Sequence, residues 1–135
     1  GLQLALAAER RVLAEDAALA MREAAYGLVP DLGGTTALVD LVGYSRALEI
    51  CATGRRVDAA EALRLGLANA VVPPDGLGRA TAELVESLLA VPPPALRALK
   101  PLLRRAVGSD LMGQCARERE AQADLLLGLL APPGG

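Results

Sequence analysis

The 135-residue sequence contains no histidine, tryptophan or phenylalanine, and its aromatic residues are Tyr26 and Tyr44. Without histidine there is no Ser-His-Asp or Cys-His catalytic unit, so proton transfer falls to carboxylates, Tyr, Lys or Cys. Cys51 and Cys115 lie far apart and outside any CxxC pattern. That excludes a zinc site of the usual Cys/His kind and makes a disulfide framework improbable, so no metal site is expected. Both cysteines read as small buried residues of a reducing compartment. The scarcity of aromatics removes the stacking surface that single-stranded nucleic acid needs. An excess of positive charge is also missing, with 14 Lys plus Arg against 16 Asp plus Glu and a formal net charge of −2. Neither a basic footprint for nucleic acid nor a polybasic membrane patch is therefore expected. No apolar run approaches the ~20 residues of a membrane helix; the longest candidate, Leu125 to Ala131, stops at Pro132. No signal peptide is visible, and a cytoplasmic location is expected.

What the sequence has in abundance is alanine and leucine, 27 of each. Both are strong helix formers, and with 53% hydrophobic and 22% charged residues the chain reads as globular and helix-dominated, of α/β class. A helix is expected after Gly1, a short strand over Arg11–Ala14 and a second extended piece over Asp16–Met21. Glu23–Pro30 reads as a loop, and Gly33-Gly34-Thr35-Thr36 as a helix start with a hydroxyl cap. Ser45–Thr53 forms the next helix, stopped by Gly54. Asp58 with Glu61 three residues on predicts a capping box ahead of a helix closed by Gly66, and Leu67–Val72 a strand. Three helices follow, over Leu77–Ala90, Pro93–Val107 and Leu111–Leu130, each with apolar residues at i, i+3, i+4. Ser109 or Asp110 caps the last, whose Arg117–Glu120 segment is expected on the wet face.

Three positions could carry chemistry. Gly1 opens a helix whose free N–H groups could hold an anionic oxygen, or it simply starts the helix. Glu23, set among Ala and Met in AMREAAYG, is either a surface glutamate or a carboxylate whose pKa is raised to suit proton transfer. Asp31, between Pro30 and Leu32, could cap the following helix.

Taken in order, GLVPDLGGT at 27–35, TGRRVDAAEALRLGLANAVVP at 53–73 and ERE followed by Gln122 resemble the enoyl-CoA hydratase/isomerase, or crotonase, superfamily. The resemblance runs through roughly nine tenths of the chain and corresponds to the C-terminal half of such a protein. It implies the last ββα units of a spiral core over residues 1–75, a helical trimerisation region over 76–131 and a disordered tail at 132–135. By this resemblance the chain is expected to be a fragment.

The resemblance also implies an acyl-CoA thioester as substrate, with no cofactor beyond the coenzyme A it carries. Two backbone N–H groups would stabilise its enolate, and Gly1 resembles the last glycine of the run that supplies one of them. Two catalytic glutamates of the family, twenty positions apart, fall on Gln3 and Glu23. Gln cannot exchange a proton, which favours an isomerase-type shift by Glu23 alone over hydration, with Gln3 left to position water or substrate. Asp31 matches an additional Asp of some dienoyl-CoA isomerases. Leu28, Pro30, Gly33 and Gly34 would shape the acyl pocket. The expected assembly is a homotrimer or dimer of trimers. The alternative is a truncated or catalytically inactive relative that serves as a binding or assembly module.

Overall fold

The computed structural model describes residues 1–130. The tail expected at 132–135, and the last residue of the expected helical region, lie outside the described residues. Contacts divide the chain between Ala82 and Glu83 into two compact units, a few residues beyond the expected boundary at 75.

The first unit begins with a short helix, α1 (Leu2–Leu6), which buries Leu2, Gln3 and Leu6. Strands β1 (Val12–Ala14) and β2 (Ala18–Leu19) follow. A 3-10 turn over Glu23–Tyr26 then stands where a loop was expected, closed by Gly27 at φ 70°. Helices α2 (Gly34–Val42) and α3 (Tyr44–Thr53) are separated by Gly43 at φ 77°, a value only glycine adopts readily. The expected hydroxyl cap on α2 is not formed. Its N-cap is Gly33, at φ 76°, with no side-chain cap, and Thr35 and Thr36 sit inside the helix, exposed.

Strand β3 (Val57–Asp58) leads into α4 (Ala59–Arg64), and β4 (Ala70–Val72) is shorter than the strand read from Leu67. Leu67 and Ala68 are buried ahead of it, so their apolarity marks a buried turn and not a strand. β1 pairs with β4 in parallel, Leu13 opposite Val71, and β2 pairs with β3 antiparallel. Arg11 and Asn69 extend the first ladder: the Arg11 N–H donates to Asn69 Oδ1 at 2.8 Å and the Asn69 N–H to the Arg11 carbonyl at 2.8 Å.

Half of the predicted capping box at α4 is present, since Asp58 Oδ1 accepts from the Glu61 N–H at 2.7 Å. The Glu61 carboxylate does not turn back to the cap. Arg55 grips it with two nitrogens, each at 2.8 Å, while its third donates to Glu49 at 2.7 Å. The core gathers Leu2, Leu6, Met21, Leu38, Val42, Ala47, Ile50, Val57, Ala62 and Leu67. The i, i+4 pair Leu38 and Val42 supplies the inner stripe of α2.

Helix α5 (Leu77–Leu89) spans the boundary, and the second unit continues with α6 (Pro93–Ala106) and α7 (Leu111–Leu130). α6 starts on Pro93, whose missing N–H costs nothing at a first turn. Asp110 caps α7, accepting from the Gly113 N–H at 2.7 Å, while Ser109 donates to the Arg105 carbonyl. Arg117, expected on the wet face, is half-buried and donates to Ser109 Oγ at 2.7 Å; Glu118, Arg119 and Glu120 are exposed. Cys51 and Cys115 are free and half-buried, less enclosed than the sequence implied. Among the described residues no helix is long and apolar enough to cross a membrane.

Candidate active site

Gln3 and Glu23 meet in space. Leu2 and Leu6 anchor α1 in the core on either side of Gln3, which is itself 7% exposed. Its Nε2 donates to Glu23 Oε1 at 2.7 Å, and its Oε1 accepts from the Leu32 N–H at 2.8 Å. The amide thus joins three pieces of chain: α1, the 3-10 turn and the approach to α2. Gly34, at the first turn of α2, makes this possible, because a Cβ there would lie 3.0 Å from Gln3 Cγ and 3.2 Å from Gln3 Cα.

Glu23 has two unequal oxygens. Oε1 is held by Gln3, whereas Oε2 is buried without a partner among the described residues. Of the two readings the sequence left open for Glu23, a surface glutamate or a carboxylate with a raised pKa, the structure opposes the second. The backbone N–H of Glu23 and the Gln3 amide stabilise the charged form and hold the carboxyl below its ordinary value, outweighing desolvation. The side chain is a carboxylate at neutral pH, ready to accept a proton.

The other positions singled out in the sequence lie in the same stretch of the fold. Gly1 caps α1 and stands in open space, with the Ala5 N–H returning to its carbonyl at 3.1 Å. Leu28 is 64% exposed and Pro30 half-buried. Asp31 is exposed and does not cap α2, whose N-cap is Gly33. Leu28 follows the turn closed by Gly27, its N–H bonded to the Glu23 carbonyl at 3.1 Å. Elsewhere, a cleft of about 370 Å³ between the start of α6 and the end of α7, lined by Pro92, Ala95, Leu125 and Leu129, contains none of these residues.

The family model for enoyl-CoA hydratase/isomerase matches residues 1–126. This chain belongs to that family. A Thermobifida fusca crystal structure described as an enoyl-CoA hydratase in complex with acetoacetyl-CoA is 51% identical to it. That match covers 95% of this chain and 50% of the other, with a TM-score of 0.93. An enoyl-CoA hydratase subunit from Geobacillus kaustophilus is similar at 36% identity and TM-score 0.90, covering 93% of this chain and 49% of that one. Among curated proteins, a carnitinyl-CoA dehydratase of Citrobacter koseri is 43% identical over 104 residues, 77% of this chain and 40% of that protein. The chain therefore spans about half the length of the relatives it matches, and its fold is the corresponding part of the crotonase fold.

Two groups beside the Gln3–Glu23 pair escaped the sequence. The first is the Leu32 N–H, a backbone donor that no residue type advertises. The second is Cys51 on α3, whose thiol is pushed up by burial and then by the nearby Glu23 charge. Its half-buried place beside the turn follows from the contact of α3 with Glu23–Tyr26.

Proposed function

We propose that this chain carries the acid/base group of an acyl-CoA site and that Glu23 performs an isomerase-type proton shift. The observation that carries the reading is the division of the Glu23 carboxylate into one oxygen held by Gln3 and one buried and unpartnered. A single ionised oxygen without a competing partner suits repeated transfer of one proton. Gln3 has no proton to exchange, so a reaction needing two carboxylates is disfavoured.

For a 3-enoyl thioester the step balances with these groups. Oε2 takes a proton from C2 as the C–H electron pair moves into a dienolate, placing negative charge on the thioester oxygen. The same oxygen returns the proton at C4, leaving the double bond between C2 and C3. No water is consumed, and the only coenzyme is the CoA of the substrate. Backbone N–H groups beside Gly1 would meet the enolate oxygen. Leu28, Pro30, Gly33 and Gly34 would border the acyl chain, with Asp31 as a further polar group at its edge.

Water chemistry is the second reading, favoured by relatives named as hydratases and dehydratases. The test is the full-length protein assayed on a 3-enoyl-CoA and a 2-enoyl-CoA. Double-bond migration that falls about 10²–10⁴-fold in Glu23→Gln supports the isomerase reading. Rapid water addition to the 2-enoyl-CoA refutes it.

A homotrimer, or a dimer of trimers, is proposed as the assembly. Its support is the apolar surface of α6 and α7, where Leu103, Leu111, Leu127 and Leu129 are 66–81% exposed. Light scattering checks it. A trimer that turns over neither substrate would favour the inactive assembly module instead.

A further inference from the structure

We propose that Gln3 is a positioning residue whose amide, keyed by the Leu32 N–H, reserves one oxygen of Glu23 and leaves the other as the single proton-carrying atom. This role rests on the reading of Glu23 as the proton carrier.

The amide has two chemically distinct ends, and each meets a complementary group. Oε1 receives the Leu32 N–H at 2.8 Å, and Nε2 faces Glu23 Oε1 at 2.7 Å. Turning the amide over would set its NH2 against a backbone N–H and its oxygen against a carboxylate. Both hydrogen bonds would be lost and two like poles brought together, so one orientation prevails. The Leu32 N–H thereby decides what Glu23 sees, through its bond to Gln3.

Sterics close the remaining freedom. Gln3 is 7% exposed, and Gly34 approaches it so closely that a Cβ there would stand 3.0–3.2 Å from three of its carbons. The Gln3 side chain cannot swing away to hold water or substrate while these contacts persist. Its Oε1 is committed to Leu32 and one amide hydrogen to Glu23. Gln3 consequently acts through Glu23: it fixes the carboxylate plane and keeps Oε1 occupied in both protonation states. When Oε2 takes the proton from C2, Oε1 still accepts from Gln3, and the same Oε2 hands the proton back at C4. Around this pair stand the Gly1 amino group, whose charge favours ionised Glu23, Cys51 on α3, with a thiol whose pKa is raised, and Arg22 at the head of the turn, whose side chain reaches toward Gly54.

The experiment compares full-length wild type, Gln3→Met, Gln3→Glu and Glu23→Gln. It reads pH profiles of kcat and KM on a 3-enoyl-CoA together with the 13C titration of the Glu23 carboxyl, assigned by difference from Glu23→Gln. In Gln3→Met the carboxylate loses its donor, so its titration and the acid limb of kcat should both move up by about one pH unit. kcat should fall about tenfold or more with KM changed less than about twofold. Gln3→Glu keeps the shape and the bond from Leu32, and sets two carboxyls to share one proton, which also drives the acid limb up. It tests the idea even where Gln3→Met fails to fold. An acid limb and a 13C titration that stay at the wild-type position in these variants, beside an inactive Glu23→Gln, overturn the role of Gln3 alone. A Glu23→Gln enzyme that turns over normally overturns the proton-carrier reading, and this role with it.

Discussion

Gly34 and Gln3 approach each other more closely than any side chain at position 34 would allow. A Cβ on Gly34 would stand 3.0 Å from Gln3 Cγ and 3.2 Å from Gln3 Cα and Cβ, so the obstruction is partly backbone and cannot rotate aside. The glycine at this place serves close packing of α2 on α1, since its φ lies outside the left-handed region. Gly34→Ala is expected to push the two helices apart, at a cost of about 1–3 kcal/mol, read as a lowered urea midpoint. Because the displaced residue is Gln3, turnover should fall by more than the loss of folded protein accounts for.

Packing beneath the site makes a second expectation. Ile50 is fully buried on α3, in the cluster that includes Leu38, Val57 and Leu67. Ile50→Ala should destabilise by about 2–5 kcal/mol, through lost transfer energy and the cavity left behind. Ile50→Val should cost about 0.5–1.5 kcal/mol. Equal effects of the two substitutions in chemical denaturation would contradict this packing.

At the head of α4, Asp58 Oδ1 accepts the Glu61 N–H at 2.7 Å and supplies the side-chain cap of this end. Asp58→Ala should cost about 1 kcal/mol, and Asp58→Asn or Asp58→Ser much less. Thermal midpoints of the three variants order the effect.

This cap was legible in the sequence because capping is local: an acceptor and its N–H lie three residues apart. The helices were legible for the same reason, since apolar spacing and glycine stops act within a few turns. Where the reading failed, distant groups decided. Glu61 turned to Arg55 and not back to the cap, because a guanidinium six residues away offered two charged bonds. For Glu23 the apolar neighbours in sequence left open a carboxylate made weakly acidic, beside the plain surface glutamate. Its neighbours in space are an amide and a backbone N–H, which reverse the sign. The spacing between Gln3 and Glu23 came from the family resemblance, whereas their direct bond and its keying by Leu32 required the fold.

Arg11 offers a prediction about the join between β1 and the end of α1. Its side chain is 9% exposed, with Nε donating to the Leu67 carbonyl at 2.6 Å and Nη1 to the Ala8 carbonyl. Neither carbonyl has a cation to replace it in Arg11→Met, so about 1.5–3 kcal/mol should be lost despite similar bulk. Arg11→Lys recovers at most part, because one ammonium on a thinner stem lacks the planar fork that reaches both carbonyls. Denaturation midpoints in the order wild type, Lys, Met would bear this out.

The depressed carboxyls set how the protein meets acid. Glu61 is held below its ordinary value first by hydrogen bonding from Arg55, and Glu23 by its own backbone N–H and by Gln3. Each binds protons more tightly when unfolded than when folded. Their stabilising contribution is therefore complete above the unfolded carboxylate range, near pH 4.3, and disappears as pH falls through the lower folded values. Stability should drop between about pH 5 and pH 3, and Glu61→Gln should flatten that drop while lowering stability at neutral pH. The Arg55–Glu61 pair is partly solvated, with side chains 32% and 24% exposed, so added salt should shrink the effect without erasing it. Urea midpoints at pH 7 and pH 3, at low and high salt, decide the matter: an acid drop equally steep in wild type and Glu61→Gln would remove this ion pair from the account.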